Sequence, residues 1–358
     1  MKLGIIGLPQ SGKTTLFNTL TQGDAPTGVS GGKLSLHTAV IDVLDERVNA
    51  LVKVFRPKKT VYAKVTYVDI GGLDGESARS GISGPLLNTL SQMDGFIHVI
   101  RQFENPLVPH SAGSVDPLRD LATMESEFML HDLIQIERKL MRLEEERQRG
   151  GYGRDKAEIA REQALFTRLN ETLSQGLPLR GETFSPDEEK KLSGHGLLSR
   201  IPQLVVVNQS EGQPPISLDA FKGFTQPICM PIKLEMEIAQ LSPEDATLFM
   251  KEYGIQEPSR NRLVRSSYEL LDLISFFTVE EEKEAHAWTI TRGSTALEAA
   301  GKIHSDMEKG FIRAEVIGFD ELIHLGGFTE ARQAGKLRLE GKGYLVQDGD
   351  VITIRFNL

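Results

Sequence analysis

Gly7–Leu8–Pro9–Gln10–Ser11–Gly12–Lys13–Thr14 constrains this chain more than any other stretch. It spells G-x-x-x-x-G-K-T between the apolar run Leu3–Gly4–Ile5–Ile6 and the helix-like Thr15–Leu16–Phe17–Asn18–Thr19–Leu20. A buried strand, a glycine-rich turn and a helix in that order predict a phosphate-binding loop in an α/β fold. Gly7 and Gly12 let the backbone wrap closely, and the N–H groups of Gln10, Ser11, Gly12, Lys13, Thr14 and Thr15 converge on phosphate at a helix N-terminus. The Lys13 ammonium is long enough to reach the β- and γ-phosphates, and the Thr14 hydroxyl suits Mg²⁺.

The chain has 358 residues, enough for two or three domains. One cysteine, Cys229, excludes an internal disulfide and a cysteine-rich metal site and reads as a small buried hydrophobe. A net charge of −9 argues against a protein that coats DNA or RNA by bulk electrostatics, while leaving room for a ribosomal or RNA partner met through a local patch. Met1 leads straight into an apolar strand and no apolar run approaches membrane-spanning length, so a cytoplasmic protein with no membrane partner is expected. Oligomeric state is not legible.

After the first helix, residues 23–33 read as a loop in the position of a first switch, with Thr27 and Ser30 as its hydroxyls. Leu36–Val43 and Val61–Val68 follow as strands. The second runs into Asp69–Ile70–Gly71–Gly72, a D-x-x-G in which Asp69 holds Mg²⁺ through water and the Gly72 N–H touches the γ-phosphate. Leu73 stands where many GTPases carry a water-orienting glutamine. Gly75, Gly81 and Gly84 suggest a second switch; Pro85–Met93 reads as a helix and Gly95–Ile100 as a buried strand.

From Asp116 to Leu173 the pattern becomes that of long helices. Met129, Leu133, Ile136, Leu140 and Leu143 form one seam; Ile159, Phe166, Leu169 and Leu173 form a second, with Gly150–Gly153 between them. An antiparallel coiled-coil hairpin is predicted. Its basic residues, Arg138, Lys139, Arg142, Arg147, Arg149 and Arg154, are mixed with Glu137 and Glu144–Glu146. They read as a solvated face, with a nucleic-acid contact as the alternative.

Pro202–Val207 restores a strand that ends in Asn208–Gln209–Ser210–Glu211. An N-K-x-D clamp would read guanine through its lysine stem and aspartate. Here Gln209 and the longer Glu211 take those places and turn the pocket away from guanine. A strand near Pro227–Ile232, a helix over 238–253 and an apolar helix over 266–277 are expected, then a glutamate-rich linker over 278–285. A small α+β module, Trp288–Leu358, would follow with a hairpin turn at Asp348–Gly349–Asp350.

Over nearly its full length the chain resembles the YchF, or Obg-like, ATPases. The resemblance rests on residues 7–18, 68–73, 99–105, 115–120, 208–211, 233–235 and above all 288–356. Within the last, Lys309–Val316, Gly335–Gly341 and Val346–Asp350 look like a TGS module. It implies a Ras-like nucleotide domain (1–118 and 200–277), an inserted helical hairpin (119–199) and a ubiquitin-like TGS domain (278–358). It further implies ATP hydrolysis in preference to GTP, with slow intrinsic turnover, and ribosome association in translation or stress regulation. His110, after Phe103–Glu104–Asn105, occupies the family's catalytic-histidine position. Lys233, in Pro231–Ile232–Lys233, falls at the family's loop beside the base.

The chain departs from the family at three places. Gln10 replaces the asparagine that helps related enzymes hold a monovalent cation, removing the side chain on which potassium dependence would rest. Lys33 falls where a switch threonine is expected, and the base loop lacks its usual small residues. The expected protein binds and cleaves ATP with Mg²⁺ on Thr14 and Asp69, Lys13 and Gly72 on the phosphates and His110 on the water. A guanine-preferring GTPase and a nucleotide-regulated binding protein without hydrolysis stay open as alternatives.

Overall fold

A computed structural model describes every residue except 24, 26–35, 72–81, 215, 218–220, 222–226, 256 and 358. The first-switch candidates Thr27, Ser30 and Lys33, and Gly72, Leu73 and Gly75 of the second switch, lie outside the described residues. The chain forms two compact units. One comprises Met1–Ala39 with Thr66–Arg260, the other Val40–Val65 with Asn261–Leu358.

The first unit begins with β1 (Lys2–Ile6) and α1 (Lys13–Thr21). The chain passes from one unit to the other within β2 (Leu36–Val43). It then forms α2 (Glu46–Phe55) and β3 (Lys59–Val61), and crosses back within β4 (Ala63–Ile70). Next come α3 (Gly84–Leu90), β5 (Gly95–Arg101), and the helices α4 (Pro117–Gln148), α5 (Lys156–Ser174) and α6 (Pro186–Leu192). The unit is completed by β6 (Gln203–Asn208), β7 (Ile228–Met230), α7 (Ile232–Ala239) and α8 (Pro243–Glu252).

Its sheet has the order β2-β4-β1-β5-β6-β7, with β4, β1, β5, β6 and β7 parallel neighbours. Every residue of β5 and β6 is buried, as expected of central parallel strands covered on both faces. In register, Ile5 lies beside Asp69 and Arg101 beside Asn208, which brings the loops after β1, β4 and β6 to one edge of the sheet.

The helical hairpin forms along the expected seams. Ile136, Leu143, Ile159, Phe166, Leu169 and Leu173 share one buried cluster, with Met129, Leu133 and Leu140 packed against it. Asp116 caps α4 by accepting from the Arg119 N–H, with Pro117 in the first turn. The hairpin belongs to the first unit because its base is core: Met124, Phe128 and Leu198 pack with Ile6, Val68 and Phe96. Three of its basic residues pair within the hairpin itself. Lys139 pairs with Glu162 at 2.6 Å, Arg154 with Glu162 at 2.6 Å and Glu146 at 3.2 Å, and Arg147 with Glu144 at 2.9 Å.

The structure divides the C-terminal part differently from the expectation. The single helix expected over 238–253 is two, α7 and α8, because Ser242 caps a new start and Pro243 cannot continue α7. The helix expected over 266–277 ends earlier: α9 spans Ser259–Leu270, and Leu273–Glu280 is strand β8. The expected linker over 278–285 is a hairpin joining β8 to β9 (Glu284–Thr291), since Ile274, Phe276, Phe277 and Val279, buried on both faces of β8, outweigh the glutamates at the turn. The second unit therefore begins before residue 278, and it also takes in α2 and β3.

Beyond β9 lie α10 (Ala296–Ile303), α11 (Ser305–Lys309), β10 (Phe311–Gly318), α12 (Phe319–Leu325), α13 (Phe328–Gln333), β11 (Arg338–Glu340) and β12 (Asp350–Phe356). The second sheet has the order β11-β10-β12-β8-β9-β3. Asp348–Gly349–Asp350 does not close a hairpin. It delivers β12 between β10, its antiparallel partner, and β8, its parallel partner. The Asp348 carboxylate takes hydrogen bonds from Arg47 at 2.8 Å and the Ser275 N–H at 2.9 Å. Val48, Leu51 and Phe55 of α2 bury against Phe277, Ala285 and Ala287, which explains why residues 40–65 leave the nucleotide unit. Among the described residues no helix is long and apolar enough to cross a membrane.

Candidate functional site: the loop after β1

Gly7 and Gly12 are required by space as well as by conformation. At Gly7 (φ +148°) a Cβ would stand 2.3 Å from the Val99 carbonyl oxygen; at Gly12 (φ +103°) it would stand 2.3 Å from Asn208 Nδ2. Gln10 also has a positive φ, 61°, which glycine or asparagine adopts more readily. Helix α1 starts at Lys13 with no acidic residue in its first turn and no side chain capping it. Its first N–H groups are thereby left for an anion. Lys13 Nζ donates to the carbonyls of Gly7 and Leu8, both at 3.0 Å, folding the loop back over its own ammonium. Ser11 Oγ is buried without a hydrogen-bond partner.

One residue beyond Lys13, Thr14 Oγ1 donates to Asp69 Oδ2 at 2.8 Å, joining the loop to the end of β4. Asp69 is 3% exposed, and its other oxygen, Oδ1, has no partner. A buried carboxylate half satisfied beside a hydroxyl is a donor set that fits a hard divalent cation. His37, on β2, places Nδ1 3.5 Å from the same Asp69 Oδ2. Sequence reasoning missed His37; only the strand pairing carries it to Asp69.

Asn208, read from sequence as part of the base pocket, sits at the loop, and its partners are protein. Nδ2 donates to the Ser11 carbonyl at 2.9 Å, and Oδ1 accepts from the Ile232 N–H at 3.3 Å. The side chain thus ties the phosphate loop to the start of α7. Gln209 follows with Oε1 buried and without a hydrogen bond, whereas Glu211 is exposed in a turn closed by Gln213. Lys233 is 84% exposed and pairs with Glu237 at 4.0 Å. The structure brings Gly7, Gln10, Ser11, Gly12, Lys13, Thr14, Thr15, Asp69 and Asn208 together, while Glu211 and Lys233 face solvent.

His110 lies on the loop between β5 and α4 with a side chain only 3% exposed. The Ala112 N–H donates to Nδ1 at 3.1 Å, so the neutral ring carries its proton on Nε2 and donates it to Asp120 Oδ2 at 2.7 Å. Arg119 bonds the other oxygen of Asp120 at 2.8 Å. Arg101 anchors the start of the same loop. Buried at 2% exposure, it donates to the carbonyls of Phe103 at 3.1 Å and Val108 at 2.7 Å and stacks over the Phe103 ring. Burial lowers the pKa of its guanidinium. A charged residue directly after the strand expected over Gly95–Ile100 is the signal that would have singled it out.

Behind the loop, His98 on β5 is fully buried. Its imidazole is pushed down to about 3, first by burial and then by the charges of Arg180 and Lys13. Its Nδ1 lies 2.7 Å from Gln203 Nε2, which fits a neutral ring accepting from the amide.

Known proteins share this architecture along the whole chain. The YchF-GTPase C-terminal family model, described as a protein of unknown function, matches residues 273–357, and a 50S ribosome-binding GTPase model matches residues 2–139. The ribosome-binding ATPase YchF of Bacillus subtilis (strain 168) is 36% identical, with 99% of each chain covered. The protein of the same description from Haemophilus influenzae is 37% identical, covering 100% of this chain and 99% of its own. The solved structure of the Schizosaccharomyces pombe YchF GTPase gives a TM-score of 0.83 at 27% identity, over 99% of this chain and 97% of that one. Matching relatives end to end at this identity, the chain belongs to the YchF family.

Proposed function

We propose that the chain binds ATP at the loop after β1, hydrolyses it slowly and acts on the ribosome in the cytoplasm. The observation that carries the nucleotide site is the convergence of Lys13, the uncapped start of α1 and the Thr14–Asp69 pair at one sheet edge. Lys13 would exchange two carbonyl partners for phosphate oxygens, a stronger charge-assisted bond. Thr14 and Asp69 would hold Mg²⁺, which when bound neutralises charge on the β- and γ-phosphates.

ATP over GTP is supported by Gln209 and the exposed Glu211 in place of a lysine–aspartate clamp, and by the description of the bacterial relatives as ribosome-binding ATPases. Guanine nucleotide is the second reading, favoured by the description of the yeast relative as a GTPase. His110 is the group on this chain suited to take a proton from attacking water. In the present arrangement the only ring lone pair, on Nδ1, accepts from the Ala112 N–H, so that role needs the Ala112 bond to open while Asp120 holds the Nε2 proton, which accords with slow turnover.

Titration of the purified chain with fluorescent ATP and GTP tests the base. Tighter ATP binding is expected, and equal or tighter GTP binding overturns that assignment. Co-sedimentation with ribosomes in the presence of a non-hydrolysable ATP analogue tests the partner.

A further inference from the structure

His37 is the one imidazole that the described structure sets against the Thr14–Asp69 pair. Its Nδ1 faces Asp69 Oδ2 at 3.5 Å, the Thr14 hydroxyl meets the same oxygen at 2.8 Å, and Asp69 Oδ1 is buried and unbonded. Neighbouring donors around an octahedral ion with metal–oxygen distances of about 2.1 Å are about 3.0 Å apart, between the two separations seen here. The imidazole is held from one side by the Phe17 ring of α1, centroids 6.2 Å apart, and is 39% exposed on the other. At 3.5 Å it makes at most a weak hydrogen bond to Asp69, so a stronger partner for Nδ1 would add stability.

We propose that His37 supplies a nitrogen donor to the divalent ion bound with the nucleotide, so that this site favours Mn²⁺ over Mg²⁺ more than an all-oxygen site would. The inference rests on the nucleotide reading above. Imidazole suits transition ions, whereas Mg²⁺ keeps oxygen ligands and water. His37 would then join Thr14, which brings one hydroxyl, and Asp69, which brings one carboxylate, as the protein's donors to the ion, with phosphate oxygens and water in the remaining positions. Nδ1 must be unprotonated to donate, with the ring proton on Nε2.

The test is electron paramagnetic resonance of the full chain loaded with Mn²⁺ and ADP, read for ³¹P coupling from the nucleotide and ¹⁴N coupling from the protein. Competition with Mg²⁺ is measured alongside. We expect both couplings in the wild type. In His37→Asn the ³¹P signal persists, the ¹⁴N signal is lost and the Mn²⁺/Mg²⁺ affinity ratio falls about tenfold. Should that variant fail to fold, wild-type protein grown on ¹⁵N-histidine decides: the nitrogen coupling must change isotope. Phosphorus coupling without nitrogen coupling, or nitrogen coupling unmoved by either change, overturns the role of His37 and leaves the nucleotide site standing. Absence of ³¹P coupling together with no retained ADP overturns both.

Discussion

Asn208→Ala separates two roles that one side chain could play. In N-K-x-D proteins an asparagine here belongs to base recognition, yet in this chain both ends of its amide are taken by backbone: the Ser11 carbonyl and the Ile232 N–H. The residue is 6% exposed, so truncation leaves a buried acceptor and a buried donor without partners. Each orphaned group costs about 1–3 kcal/mol, and water entering the vacated space recovers part of it. A net loss of about 3 kcal/mol lowers the thermal midpoint of a unit this size by about 6–12 °C. Because the damage falls on the loop that cradles phosphate, affinity for ATP, GTP and ADP should drop by the same factor. Calorimetric unfolding of the apo protein and titration with the three nucleotides measure both quantities. An unchanged midpoint with a loss confined to one base would refute the reasoning and return Asn208 to base recognition.

Gly12→Ala should abolish nucleotide binding, since its Cβ would collide with Asn208 and the φ of +103° is strained for alanine; equilibrium dialysis reads the loss. His110→Ala should leave KM for ATP within about twofold and lower kcat by at least about 100-fold. Retention of the wild-type kcat would remove His110 from the chemistry. Below about pH 6.5 the unfolded chain protonates His98 while the folded chain does not until about 3. Its contribution to stability is therefore complete above pH 6.5 and is lost as pH falls towards 3, at up to about 1.4 kcal/mol per unit. Urea midpoints of His98→Gln should fall less steeply than wild type across that window.

The phosphate loop was legible because its function depends on local backbone. Strand, glycines, lysine and threonine are contiguous, and the spaces at Gly7 and Gly12 admit no side chain. The hairpin was legible for a similar reason, as its seams repeat at helical spacing and bury as read. Glutamates over 280–284 misled the reading of β8 and β9, since the exposed turn between two strands has the composition of a linker. The departure of residues 40–65 to the second unit had no local signal at all; it depends on Val48, Leu51 and Phe55 finding Phe277 and Ala285, more than 200 positions away.

By itself, then, the sequence determined the loop proposed to hold phosphate, because contiguous backbone geometry and one lysine suffice for that. What surrounds that loop was decided only by tertiary structure. Parallel pairing set Asp69 under Thr14 and Asn208 against the loop, the start of β2 brought His37 to Asp69, and α4 put Asp120 under His110. Each of these contacts joins residues distant in the chain or placed by a long helix, and no spacing rule relates them before the sheet has formed.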